Sequence, residues 1–253
     1  MSGLLDGARH VLLVHAHPDD ETLATGVLVA LLHERGVRTC VLTATRGEQG
    51  EIVPGTLPVS LDDAALSAHR EGELAAALAV LGVDDHHWLG TPPARAAGLQ
   101  PRHYRDSGMR WVTPTVAGPG DAADERALTS ADAAEEMADL VALLEATRPD
   151  LLVSYDEHGG YGHPDHVRMH ELTRAAARES GIRMLEVVPA DRTAGRDLAG
   201  VEWFDHPELL PVVAEALRCH RTQLTVDGAE VVHVGGQREA IATRLGLRGV
   251  SAG

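Results

Sequence analysis

Aromatic side chains are scarce in this chain. Its 253 residues include one Phe, three Tyr and three Trp, so Ala, Leu and Val must supply most of the packing. At 44% hydrophobic residues, there is still enough apolar material for a real core, which excludes wholesale disorder. Cysteine is nearly absent. Cys40 and Cys219 form no CxxC pair, and two thiols make no disulfide framework, so both read as buried or incidental in a reducing compartment. Basic residues are outnumbered 22 to 38, for a formal net charge of −16. Such a surface repels phosphate backbones and anionic lipid heads, which argues against nucleic-acid and membrane partners; taken alone, the charge says no more than solubility. No apolar run approaches the ~20 residues of a membrane span, and no basic, then apolar leader opens the chain. A cytoplasmic location is expected. GxGxxG after the first strand, a P-loop and a GxSxG elbow are also absent, which disfavours dinucleotide binding, phosphate cradling and serine hydrolysis.

What remains is an alternation of strand and helix, the pattern of a Rossmann-like, mostly parallel α/β sheet with helices on both faces. Strands are expected around residues 10–16, 37–44, 87–89, 151–155 and 184–188. Leu23, Val27 and Leu31, with Leu28 and Leu32 beside them, make the apolar stripe of a helix near 22–35, which Gly36 would close. Further helices are expected from about His69 to Leu81, ended by Gly82, and from a capping-box-like start at Thr129-x-x-Asp132 to just before Pro149. Another runs from Pro164 to about Ser180, with Pro in the first turn, where its missing N–H costs nothing. Residues 209–221, which include Cys219, and 238–245 also read as helical. The length suits one domain over 1–253, with a core at about 10–190 and a small C-terminal α/β extension, a cap region, at about 190–253. There are no internal repeats. Two polar stretches, 46–62 and 90–128, read as a functional loop and a lid or binding loop.

Two short stretches carry the chemistry. His17-Pro18-Asp19-Asp20-Glu21 follows the apolar run Val11-Leu12-Leu13-Val14, and His163-Pro164-Asp165-His166 follows Leu151-Leu152-Val153-Ser154-Tyr155. Strand ends are where open α/β sheets bind ligands, and imidazole with carboxylate is a divalent-metal donor set. His163 and His166 fall on one face at i and i+3. Asp19 and Asp20 are adjacent, so one can bind a metal while the other stands beside the metal-bound water. Two His, one Asp and an open position make a catalytic rather than a structural zinc site, and metal-bound water can reach a pKa of ~7. Asp19 is the candidate acceptor of the water proton and His163, as a cation, the candidate partner of an oxyanion. Glu21 would sit at a helix N-terminus, where the dipole favours an anion. The same donors describe a non-haem iron facial triad, but that triad usually has a β-barrel frame. With 15 histidines in the chain, His15 in HxH reads as a strand residue and His170 as packed or exposed. His86, His87, His206, His220 and His233 show no partner spacing.

The paired stretches resemble the LmbE-like (PIG-L) zinc N-deacetylases over roughly residues 10–180. Gly47-Glu48-Gln49-Gly50-Glu51, His69-Arg70-Glu71-Gly72-Glu73-Leu74, Arg105-Asp106-Ser107-Gly108-Met109, Gly159-Gly160-Tyr161-Gly162 and His220-Arg221-Thr222-Gln223 resemble the mycothiol branch of that family. The resemblance implies a Rossmann-like fold and removal of acetyl from an N-acetylglucosaminyl compound, first of all N-acetylglucosaminyl-inositol. It implies that His17, Asp20 and His166 bind Zn2+, with Fe2+ able to take the same place. Asp19 would be the general base, His163 the oxyanion partner, and Tyr161 a polariser of the amide carbonyl. Asp165 would orient His163 or the metal shell, and Arg70 and Asp106 would contact sugar and inositol hydroxyls. From the residues alone, Arg70 reads as a surface helix residue and Asp106 as a turn former. Thr91 to His103 reads as an insertion, and the region after about 190 as shorter than in the mycothiol deacetylases. The rival readings are a mycothiol S-conjugate amidase, a deacetylase of another amino-sugar natural product, and a non-catalytic sugar-binding protein; the partner in each is a small amino-sugar molecule.

Overall fold

The computed structural model describes residues 3–250, apart from 59–60, 114–115 and 121–122. The first third of the chain forms β1 (His10–His15), α1 (Asp20–Leu23), α2 (Gly26–Glu34), β2 (Arg38–Thr43), α3 (Asp63–Leu81) and β3 (Asp85–Trp88). The middle forms a hairpin of β4 (Met109–Thr113) and β5 (Val116–Pro119), then α4 (Ala133–Thr147), β6 (Leu151–Tyr155), α5 (Gly159–Gly162), α6 (Pro164–Ser180) and β7 (Arg183–Pro189). The rest forms β8 (Val201–Asp205), α7 (Leu210–Leu217), β9 (Leu224–Asp227), β10 (Glu230–His233), β11 (Arg238–Ala240) and β12 (Arg244–Gly249).

Seven strands make the main sheet in the order β3-β2-β1-β6-β7-β12-β8. From β3 to β7 every pairing is parallel; β12 runs antiparallel to both its neighbours. Alternate residues of each strand feed two cores. Val11, Leu13, Val41, Leu151 and Val153 pack with α2, α3 and α7 on one face. Leu12, Val14, Leu42 and Leu152 pack with α4 and α6 on the other. Both faces of the central strands are therefore apolar, which explains their near-continuous hydrophobic runs. Chain order reverses between β1 and β6. The crevice outside the carboxyl ends of these two strands is the topological switch point, and both sequence stretches open there.

The helices begin and end for local reasons. Asp62 caps α3 by accepting from the Ala65 N–H at 2.8 Å, and Gly82 ends it at φ 75. The helix is one and a half turns longer than expected because Asp62, not a residue near His69, is the cap. Likewise Asp132 itself caps α4, accepting from Ala134 N–H, while Thr129 lies in a preceding 3-10 turn. The expected 22–35 helix is two pieces. Thr25, at φ −131 and with its hydroxyl donating to the Glu21 carbonyl at 2.8 Å, breaks the run. The helix expected at 238–245 is a correction: Arg238–Ala240 and Arg244–Gly249 are strands, each drawn into a sheet by its neighbours. The helix read at 209–221 stops at Leu217, which leaves Cys219 just outside it; Cys219 is part-exposed and Cys40 buried, and neither is in a disulfide.

The expected insertion is no free lid. Arg95 reaches Glu135 at 2.7 Å and Asp139 at 2.9 Å, and Arg102 reaches Glu135 at 2.6 Å, which pins this stretch to α4. The Tyr104 hydroxyl donates to Asp139 at 2.9 Å beside them. The following residues approach the switch point. No helix of the described residues is long and apolar enough to cross a membrane.

Candidate active site

β1 delivers His17 and Asp20 to the crevice, and the turn after β6 delivers His163 and His166. His17 Nδ1, Asp20 Oδ2 and His166 Nε2 form a triangle whose three edges are each 3.2 Å. The other ring nitrogens are occupied. His17 Nε2 lies 3.1 Å from Asp165 Oδ2, and His166 Nδ1 lies 3.2 Å from the Gly159 carbonyl. Both partners are acceptors, so those nitrogens carry the protons and the two inward nitrogens carry lone pairs in the neutral rings. Lone pairs and a carboxylate oxygen have no hydrogen bond to make with one another. Ligands about 2.0–2.1 Å from a tetrahedral ion stand about 3.3 Å apart, so the triangle fits a divalent cation with room for a fourth ligand. His17, His163 and His166, and also His17, Asp106 and Asp165, gather within 4.8 Å as well. In the His17–Asp20–His166 set the other nitrogen of each ring faces a hydrogen-bond acceptor, the usual arrangement around a metal-binding histidine.

Asp20 is fixed from two further sides. The His17 N–H donates to its Oδ2 at 2.9 Å, and the Tyr155 hydroxyl donates to the same oxygen at 2.7 Å. Tyr155 also accepts from the Ala16 N–H at 2.8 Å and stacks on His166 with ring centres 4.2 Å apart. Sequence reasoning passed over Tyr155 as a strand residue; its place at the carboxyl end of β6 was the available signal. Burial would raise the Asp20 carboxyl, but His166 and His17 hold it well below the usual range. Burial alone would lower His17, yet Asp106, Asp165 and Asp20 carry it well above its ordinary value. This is a site that attracts positive charge, whether a proton or a metal ion.

Asp19 stands at the start of α1 with φ 99, one of two non-glycine residues with positive φ among the described residues. Such backbone stores about 1–3 kcal/mol and persists where surroundings enforce it. Among the described residues, none hydrogen-bonds its carboxyl group. Burial, and then the Asp20 carboxylate, push its pKa up to about 7. A base poised near neutrality is suited to taking a proton from water.

His163 caps α6, its Nδ1 accepting from the Asp165 N–H at 3.2 Å, and its ring centre is 4.5 Å from that of His17. The expected cationic imidazole is corrected: burial, His17 and His166 push its pKa well below the ordinary value. What His163 offers is a neutral Nε2–H donor. Asp165 is fully buried and accepts from His17 and, at 2.9 Å, from the Ser107 N–H, so its carboxylate meets the His17 ring and not that of His163. Tyr161 sits in α5 with its ring 5.1 Å from His166 and 5.7 Å from Trp111 of β4. Burial pushes its hydroxyl pKa up, leaving a protonated donor.

Asp106 joins the cluster, its Oδ1 3.5 Å from His17 Nε2 and accepting from the Gly108 N–H at 2.8 Å. Glu48 holds the Asp106 N–H at 2.9 Å. Arg70 is buried, not a surface residue. Its guanidinium donates to the carbonyls of Gly47, Gly50 and Glu51, the last two at 3.0 Å. Three of its five N–H donors therefore hold the 46–51 loop, and its Nε is buried without a partner. His170 is packed, with Nδ1 3.0 Å from the Tyr155 carbonyl, and His15 ends β1 with Nε2 3.0 Å from the Thr25 hydroxyl. His220, given no partner by spacing, lies 2.8 Å from Glu21, and both are fully buried.

A switch-point crevice whose His and Asp side chains fit a divalent ion, with a further carboxyl group beside them, is the site of an α/β enzyme. The chain belongs to the GlcNAc-PI de-N-acetylase (PIG-L) family, whose model matches residues 12–177, and is a hydrolytic N-deacetylase. It is 39% identical to the 1D-myo-inositol 2-acetamido-2-deoxy-alpha-D-glucopyranoside deacetylase of Kineococcus radiotolerans, over 88% of this chain and 71% of that protein. It is 40% identical to the protein of the same name from Actinosynnema mirum, over 89% and 85%. Its fold is similar to N,N'-diacetylchitobiose deacetylase from Pyrococcus horikoshii, with a TM-score of 0.60 at 21% identity over 86% of this chain and 71% of that one.

Proposed function

We propose that the chain is a zinc-dependent deacetylase of an N-acetylglucosaminyl compound, namely N-acetylglucosaminyl-inositol in mycothiol synthesis. We further propose that it acts in the cytoplasm, with residues 1–253 as one unit. The observation that carries the chemistry is the 3.2 Å triangle of His17, Asp20 and His166 with Asp19 beside it. The substrate rests on the names of relatives that are about 40% identical over most of the chain.

Those three residues would hold the zinc, which when bound would supply Lewis-acid activation of a water and of the acetamide carbonyl. Fe2+ would fit the same donors. Asp19 takes the proton of the attacking water and returns it to the leaving amine as the C–N bond breaks. His163 Nε2–H and the Tyr161 hydroxyl donate to the carbonyl oxygen as negative charge develops there. Asp165 keeps His17 turned so that Nδ1 faces inward. Asp106 and the 46–51 loop held by Arg70 line the side where sugar and cyclitol hydroxyls would be bound. A second reading, the S-conjugate amidase with the same site, draws on the exposed apolar residues Trp111, Val112 and Val116 of the β4–β5 hairpin at its mouth.

The test is free-amine release by metal-loaded protein from N-acetylglucosaminyl-inositol, N-acetylglucosamine and a mycothiol conjugate. Fast release from the inositol glycoside alone is expected; release from the conjugate alone would transfer the reading to the amidase. Asp19→Asn is expected to keep the metal and lose about 10²–10⁴ in kcat. Sugar binding without turnover in the unaltered protein would favour a non-catalytic binder instead.

A further inference from the structure

Residues 220–223 lie beyond the stretch the family model matches, yet they reach the turn that carries Asp19. The shorter contact is to a carboxylate, with the Thr22 hydroxyl 3.5 Å from the same His220 nitrogen. Glu21 Oε2 accepts from the backbone N–H of Asp19 at 2.9 Å, and its Oε1 accepts from His220 Nε2 at 2.8 Å and from the Thr22 hydroxyl. Glu21 and His220 are both fully buried. No side chain caps α1, a helix of one turn, and no described residue bonds the Asp19 carboxyl group. On one side of Asp19 the carbonyl accepts from the Thr22 and Leu23 N–H groups at 3.0 and 2.8 Å; on the other the Glu21 bond fixes the peptide before it, and together they hold φ at 99. A buried carboxylate keeps such a place only while its oxygens are hydrogen-bonded, and His220 supplies the imidazole N–H on Oε1.

His220 is itself held in place. The Gln223 side-chain nitrogen is 3.3 Å from its Nδ1. Thr222 donates from its N–H at 2.8 Å and its hydroxyl at 2.7 Å to Glu73 of α3, and its carbonyl accepts from the Val53 N–H at 2.8 Å. The segment thus ties α3 and the loop after β2 to the Asp19 turn.

We propose that His220 is a positioning residue for Asp19, acting through Glu21: it anchors the carboxylate that keeps the Asp19 backbone left-handed and its carboxyl group aimed into the crevice. The proposal rests on the reading of Asp19 as the base, and its test separates the two. In the full-length protein, His220→Ala is expected to speed amide hydrogen exchange at Asp19 by about tenfold or more. With metal loaded, it is expected to lower kcat about 10- to 100-fold, with KM within about twofold and metal content per chain unchanged. His220→Gln, which keeps an N–H near the Nε2 position, is expected to restore most of both. In an Asp19→Asn background, His220→Ala should cost nothing further in kcat, because the group it positions is gone. Unchanged exchange at Asp19 would overturn the proposal, as would a kcat loss that multiplies with that of Asp19→Asn or follows loss of metal. Should His220→Ala not fold, Glu21→Gln carries the same expectations. If the unaltered protein releases no amine from any acetamido sugar, the substrate reading fails while the exchange comparison still decides the positioning role.

Discussion

The turns after β1 and after β6 both enter left-handed backbone, and they do so with different residues. After β6 the chain bends through Gly159, Gly160 and Gly162, at φ 58, 68 and 93, where the absence of a Cβ makes the conformation nearly free of strain. After β1 it bends through Asp19 at φ 99, where a side chain makes it costly. The difference follows from what each turn must present. The β6 turn brings Tyr161, His163 and His166 around on ordinary backbone, and the glycines beside them take the left-handed positions. With Asp19 as the proposed base, the β1 turn needs a carboxyl group at the bend itself, which places the strain where that chemistry would be.

The largest effects come from the ligand triangle the two turns share. His166→Ala is expected to weaken metal uptake by more than about 100-fold, and Asp165→Asn, which alters only the partner of His17, by about 10- to 100-fold; metal titration checks both. Next comes the glycine turn. A Cβ on Gly162 would lie 2.7 Å from the Ala117 carbonyl oxygen, whereas one on Gly160 would face open space. Gly162→Ala is therefore expected to cost about 1–3 kcal/mol in denaturant unfolding, and Gly160→Ala about 1 kcal/mol from its backbone alone. At the other turn the sign reverses. Asp19→Gly should gain about 1 kcal/mol of stability by releasing strain while losing turnover, and equal stability in the two proteins would remove strain from the comparison. The smallest effect is on pH dependence. Burial lowers the His220 pKa, but Glu21, Asp19 and Glu73 raise it above its ordinary value in the folded chain. Its stabilising contribution is full below the unfolded histidine pKa of about 6.5 and lost as pH rises through the raised folded value. His220→Gln should remove this alkaline loss from the stability–pH curve, and Gly160→Ala should leave it in place.

Much of the parallel core could be read directly. β1, β6 and β7 are apolar on both faces, and the strand at 151–155 and the helix from Pro164 to Ser180 emerge with the expected bounds. The two His/Asp stretches and the shared crevice followed from strand ends alone. The C-terminal third was harder. β8, β9 and β10 are short and half-exposed, and 238–245 has helix-like composition, but 238–240 pairs with β10 just before it and 244–249 with the distant β7 and β8, so pairing overrides local preference. The same holds within the site. Glu21 and His220 meet across 199 positions, a pairing no spacing rule can show. The burial of Arg70 depends on where the 46–51 loop folds back, and the lowered pKa of His163 on burial and on two imidazoles that come together only in three dimensions.

The position of β12 in the main sheet also dictates an order of assembly. β8 pairs in that sheet only with β12, and β12 lies between it and β7. During synthesis β8 emerges some forty residues before its partner, with α7 and the small β9–β11 sheet made in between. The parallel half can pair as it appears, but β8 must wait as an unpaired edge, exposed to wrong partners. The sheet is completed by insertion of one of the last strands made, not by growth outward from the centre.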